Sequence, residues 1–84
     1  MPLSALLKLD RPYDWSNKNI DKDVFILRVL NGVHLPDIVR CTAFFGRELM
    51  VRQLKNIDDK LTLAIARRKV HNAIIAIGEI DAQA

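Results

Sequence analysis

The sequence predicts an all-α fold, a compact bundle of four to five short helices that includes a helix-turn-helix-like pair. Three observations predict it. Each long segment carries apolar residues at helical spacing, no segment alternates cleanly like a half-buried strand, and glycine and proline leave only short connections. With 84 residues there is room for one helical domain, 1–84, and one modest core. That length lies near the lower limit for folding without disulfides, metals or a partner, so the size is compatible with a second subunit.

Leu3, Leu6 and Leu7 share one helical face behind Pro2, which suits a first turn, and predict an opening helix from about Leu3 to Leu9. Arg11-Pro12 stops it, because proline disfavours a helical conformation in the residue before it. Asp14, Ser16, Asn17 and Asn19 then compete for the backbone with their own side chains and mark a loop. Within it, Trp15 offers the largest single burial available to this arm and is expected to pack over the following helix. Asp21 or Asp23 caps that helix, which runs through VFILRVL and ends at Asn31-Gly32, glycine supplying the left-handed terminal conformation. Only Arg28 is polar within the run, so the element has no face to give to water and serves as the central core helix or as part of a subunit interface. A buried strand is the competing reading, because the run is short and rich in β-branched residues.

Pro36 suits a first helical position and Asp37 the positive end of a helix, while Ile38, Val39, Ala43 and Phe44 or Phe45 supply an apolar stripe that ends at Gly46. A short helix from Arg47 to Lys55 follows, with Leu49, Met50 and Leu54 inward. Asp58 or Asp59 caps the longest helix, from about Lys60 to Ile77, whose stripe is Leu63, Ala66, Val70, Ala73, Ile74 and Ile77.

Half of the residues are apolar and no low-complexity run or repeat is present, which describes a folded protein. The one cysteine, Cys41, cannot form an internal disulfide, and with only His34 and His71 beside it the ligand spacing of a structural zinc site is missing. No metal or cofactor is expected, and a cytoplasmic location fits best. The N-terminal apolar run is too short for a secretory core, and no segment approaches the ~18 to 20 apolar residues of a membrane span. A formal charge of +3 and a pI of about 9.4 permit nucleic acid or an acidic protein as partner, but the basic residues are interspersed with acidic ones.

Catalysis lacks its parts. Only two serines occur, both near the N-terminus, the two histidines fall in separate elements, and the three glycines lie apart rather than in a phosphate loop. A non-enzyme is therefore expected. The sharper functional reading is a helix-turn-helix, in which Arg47, Arg52 and Lys55 contact DNA phosphates. Its spacing is off, because Arg52 and Lys55 occupy positions that a DNA-binding version buries. The basic run Arg67-Arg68-Lys69 fans over roughly 200° of the last helix and describes a mixed rim better than a phosphate track. Late in that helix AIIAI is apolar almost all round. Val70, Ile74, Ile75 and Ile77, with Trp15, are therefore the expected residues of an interface with a partner protein or a second copy.

The string YDWSNKNI, the helix DVFILRVLNG, the segments LPDIVR and FFGRE, and the late RRKVHN together resemble small bacterial proteins encoded beside nucleotidyltransferase-fold toxins of the AbiEii type. The resemblance covers about Tyr13 to Ile77 and rests on hydrophobic pattern plus Trp15, Ile20, Arg28-Val29-Leu30, Gly32, Asp37-Ile38 and Gly46. It implies the antitoxin half of a toxin–antitoxin pair, a non-catalytic chain that neutralises the toxin by occupying it. A helix-turn-helix regulator, including a repressor of its own operon, and a homodimeric structural module are the alternative expectations.

Overall fold

The computed structural model describes residues 3–14 and 20–83, with side chains in the last helix described to residue 78. Five helices and no strand occur among them: α1 (Leu3–Leu6), α2 (Lys22–Gly32), α3 (Leu35–Phe45), α4 (Arg47–Leu54) and α5 (Lys60–Gln83). Helix α1 is shorter than its apolar spacing predicts, and Pro12 does not end it. Lys8 turns left-handed (φ 57°), its N–H donates to the Ala5 carbonyl at 3.2 Å, and the Leu9 N–H donates to that of Ser4 at 2.9 Å. Such a closed C-terminal turn satisfies carbonyls that the short helix leaves open.

Asp21 caps α2, accepting from the Asp23 N–H at 3.1 Å. Phe25, Ile26, Val29 and Leu30 form its buried stripe. Full burial of each such side chain stabilises by roughly 1.5–3 kcal/mol, against about 1 kcal/mol for a cap, so the stripe decides that this segment is a helix. It is the central core helix, yet it does give a face to water: Val24 and Arg28 are exposed and Leu27 only half-buried.

The end of α2 corrects the reading of Gly32. The helix runs through Gly32, and Val33 takes the left-handed conformation (φ 46°, ψ 34°). A β-branched residue there is strained, by roughly 1–2 kcal/mol. Two hydrogen bonds hold it: the Val33 N–H donates to the Leu30 carbonyl at 3.2 Å, and Lys69 Nζ from α5 donates to the Val33 carbonyl at 2.6 Å. Glycine is required one residue earlier for a different reason. A Cβ at position 32 would sit 3.1 Å from Cε1 of Tyr13, whose ring lies against the helix end.

In α3 the buried face is Asp37, Ile38, Cys41 and Thr42, with Phe45 half-buried. Ala43 and Phe44, expected in the stripe, point outward, and Cys41 and Thr42 replace them because the stripe follows i, i+1, i+4, i+5 from Asp37. The Thr42 hydroxyl is satisfied within the helix, donating to the Ile38 carbonyl at 2.7 Å. Gly46 alone joins α3 to α4, at φ 94° and ψ 150°. Met50 and Leu54 face inward as expected, with Gln53 beside them, and Ile57 in the following loop is buried as well.

Asp59 is the cap of α5, its Oδ2 accepting from the Thr62 N–H at 2.8 Å and hydroxyl at 2.7 Å. The Thr62 hydroxyl holds this carboxyl below its ordinary range. Helix α5 extends past Ile77 to Gln83 and buries Ala66, Val70 and Ala73, its most extensive packing being against α3. Phe25 joins the layers, with Tyr13 edge-on at 6.2 Å and Phe45 at 6.3 Å between ring centroids.

Gly46 and Gly78 provide a contrast, since a Cβ would meet open space at both. Gly46 has a backbone conformation that other residues enter at a cost of about 1–3 kcal/mol, so Gly46→Ala is expected to lower unfolding free energy by that amount in urea titrations. Gly78 is an ordinary helical glycine, and Gly78→Ala is expected to raise it by about 0.5–1 kcal/mol. Equal effects of the two would contradict this assignment of the turn.

Candidate functional site

The densest polar cluster joins the N-terminal arm to α3. Asp37, in the first turn of α3, is fully buried. Its Oδ1 accepts from the Asp10 backbone N–H at 2.7 Å and its Oδ2 from the Tyr13 hydroxyl at 2.8 Å. The Asp10 carboxylate accepts from His34 Nε2 at 2.8 Å and from Arg40 Nη1 at 3.4 Å. The His34 bond, aided by the charge of Arg40, lowers the Asp10 carboxyl below its ordinary value of 3.8. This contribution to stability is present above the ordinary carboxylate range and is lost as pH falls through the depressed value.

Donor atoms of Asp10, His34 and Asp37 lie within 4.8 Å of one another, a spacing a metal ion can accept. Each of the four carboxylate oxygens, however, already has a donor, and the Arg40 guanidinium lies 3.4 Å from Asp10 and 3.7 Å from Asp37. The arrangement is an internal clasp in which a guanidinium supplies the positive charge. His34 is at the N-cap position of α3, and its ring reaches Asp10 instead of the α3 backbone.

Further bonds complete the clasp. Ser4 Oγ accepts from the Tyr13 N–H at 3.0 Å, and the buried Asp14 carboxylate accepts from the Ser4 N–H at 3.3 Å. Arg11 donates to the Gly32 carbonyl and Arg28 to that of Tyr13, both at 3.1 Å. Burial and the Asp37 carboxylate raise the Tyr13 phenol strongly. Burial also raises the Cys41 thiol to about 12, which leaves it without nucleophilic thiolate near neutral pH.

A second feature is an open groove of about 330 Å³ between the end of α3 and the far half of α5. Thr42 and Ala43 form one wall, Ile74 and Ile77 the other, and Gly46 and Gly78, having no side chains, leave the floor open. Arg47 supplies the one charged side chain of the lining. The groove joins Ile74 and Ile77 of the expected interface. Val70 is corrected: it is buried in the domain's own core beneath α3 and has no surface to offer. Ile75 is exposed on the side away from the core, and Trp15 lies outside the described residues.

On α4, Arg47, Arg52 and Lys55 are all exposed, as a phosphate-binding face requires. At ~100° per residue Glu48 falls between Lys55 and Arg52 on that face, and Val51 beside them, which puts a carboxylate where phosphates would lie. The basic run on α5 divides. Lys69 is half-buried and spent on the Val33 carbonyl, while Arg67 and Arg68 are exposed. No helix is long and apolar enough to cross a membrane among the described residues. Comparison with family models, curated proteins and solved structures finds no match to this chain.

The chain has one tyrosine, so its ionisation is directly visible by absorbance near 295 nm. The folded phenol titrates above the unfolded value of 10.0, so this hydrogen bond stabilises fully below that pH and less as pH rises above it. Phenolate is expected to appear only together with alkaline loss of helicity; ionisation near pH 10 in a still-folded chain would contradict the Tyr13–Asp37 bond. Cys41 is likewise expected to resist iodoacetamide at pH 8 until denaturant is added. Rapid labelling of the native chain would place it at the surface.

Proposed function

We propose that the chain is an antitoxin-like protein that binds a nucleotidyltransferase-fold toxin and neutralises it by occupying it. The groove between α3 and α5 carries this reading. It is more apolar than polar, open, and built partly from Ile74 and Ile77 in a chain whose core is already closed by Phe25, Ile26, Leu30, Ile38 and Met50. Apolar surface left open after core formation is typical of sites that complete their burial against another protein. The resemblance over Tyr13 to Ile77 supplies the identity of that protein.

The fixed points of the resemblance mostly have structural work in this fold. Gly32 admits the Tyr13 ring, Asp37 receives the arm, Gly46 makes the one-residue turn, and Val29 and Leu30 are core. They support a shared scaffold, and the groove supports a binding role for it. Helix-turn-helix DNA binding is the second reading, favoured by the common exposure of Arg47, Arg52 and Lys55 on and just after α4. A helix of eight residues, about 12 Å long, with Glu48 amid its basic side chains is a poor reader of a groove.

Co-expression with a nucleotidyltransferase-fold toxin of the AbiEii type tests the proposal. Rescue of growth and co-purification are expected, and Ala43→Trp, which fills the groove from an exposed position, is expected to weaken binding about tenfold or more (~1.4 kcal/mol) at unchanged helicity. A toxin that is neither bound nor neutralised overturns the proposal. Nanomolar binding to operator DNA, lost in Arg47→Ala or Arg52→Ala, would favour the regulator instead.

A further inference from the structure

We propose that the outward face of α5, from Lys60 to Ile75, docks an acidic amphipathic helix of a partner protein. The proposal rests on the reading of this chain as a protein-binding module and adds a second surface and the chemistry of its ligand. At ~100° per residue, Leu61, Ala64, Arg68 and Ile75 fall within a stripe about 60° wide, opposite the buried Ala66, Val70 and Ala73. Leu61 is 71 % exposed, Ile75 46 % and Ile65, on the flank, 38 %. The stripe extends over roughly 21 Å of helix at 1.5 Å per residue, the length of a four-turn partner helix.

Charge selects the partner. Between Lys60 and Gly78 there is no acidic residue, and Lys60, Arg67 and Arg68 are exposed along the apolar stripe, whereas Lys69 is held at the Val33 carbonyl. Of the two carboxylates just before the helix, Asp59 is committed to the Thr62 cap, and Asp58 stands outside α5. A second copy fits poorly, because the antiparallel register that seats Leu61 on Ile75 also brings Arg68 onto Arg68, and like charges in contact are strongly disfavoured. Duplex DNA fits poorly as well, since Leu61, Ala64 and Ile75 fill the centre of the face and leave Arg68 there as the one donor to phosphates. A helix with apolar residues at i, i+3, i+4 and i+7 and glutamates beside them satisfies both the stripe and its basic residues, Lys60 and Arg67 on one flank and Arg68 within it.

The test uses the full chain, labelled with ¹⁵N, and a synthetic amphipathic helix of about 18 residues with leucine at those positions and glutamate elsewhere. A version with lysine for glutamate and a scrambled version of the acidic peptide are the controls. Only the acidic helix is expected to bind, with shift changes at Lys60, Leu61, Ala64, Arg68 and Ile75. Ile75→Asp should weaken it tenfold or more, and Arg68→Glu should do the same while gaining affinity for the lysine peptide. Equal binding of all three peptides, or shifts confined to the groove or to α4, overturns the proposal.

The same variants separate it from the antitoxin reading. Toxin binding that survives Arg68→Glu and Ile75→Asp but is lost in Ala43→Trp, with no peptide binding, removes the α5 surface alone. Charge-reversible peptide binding without toxin binding leaves the α5 surface in place and removes the antitoxin.

Discussion

The buried carboxylate of Asp37 is the constraint on which the rest of the structure depends. A charged group without solvent exposure is tolerated only when its oxygens are satisfied, and α3 alone cannot do this. The Asp10 N–H and the Tyr13 hydroxyl supply the donors, 27 and 24 positions away in sequence. Bringing them there lays the arm along α2 and α3 and places the Tyr13 ring against Phe25 and Gly32. The position in the first turn of α3 favours the negative charge through the helix dipole. His34 and Arg40 then border the same cluster, and the Arg40 guanidinium offsets part of its negative charge.

From that anchored α3 the placement of α5 follows. Lys69 reaches the Val33 carbonyl at the end of α2, and Ala66, Val70 and Ala73 pack inward. One amine therefore ties α5 to a left-handed valine, while the burial of Ala66, Val70 and Ala73 against α3 sets the rotation of α5. With that rotation set, Ile74 and Ile77 turn to the groove beside α3, and Leu61, Arg68 and Ile75 turn to solvent. Two neighbouring isoleucines, Ile74 and Ile75, thus belong to different surfaces.

This division gives the protein two faces of different chemistry. The groove is a concave apolar site with one guanidinium, suited to receiving a protruding side chain or helix. The outward face of α5 is convex and basic, with an apolar stripe whose borders attract carboxylates. Among the described residues, Cys41 is buried and His34 is bonded to Asp10.

What the sequence by itself determined is what depends on neighbours a few residues apart. Helical period, a cap at Asp21 or Asp23 and another at Asp58 or Asp59, the glycine turn at position 46 and the core roles of Phe25, Ile26, Val29, Leu30, Ile38 and Met50 were legible because spacing along one helix decides them. The tertiary structure alone decided which of several eligible residues takes a role when the deciding partner is distant in sequence. Gly32 had every local mark of a left-handed cap, yet the Tyr13 ring needs its bare Cα and Val33 makes the turn. Ala43 and either Phe44 or Phe45 were eligible for the α3 stripe, and the burial of Asp37 set a rotation that turns Phe45 inward and leaves Ala43 and Phe44 outside. Val70 was legible as apolar, but only the packing of α5 on α3 made it core while leaving Ile75 in water. Apolar character is a property of the residue, whereas the surface it faces depends on a rotation set by packing and hydrogen bonds to parts of the chain distant in sequence.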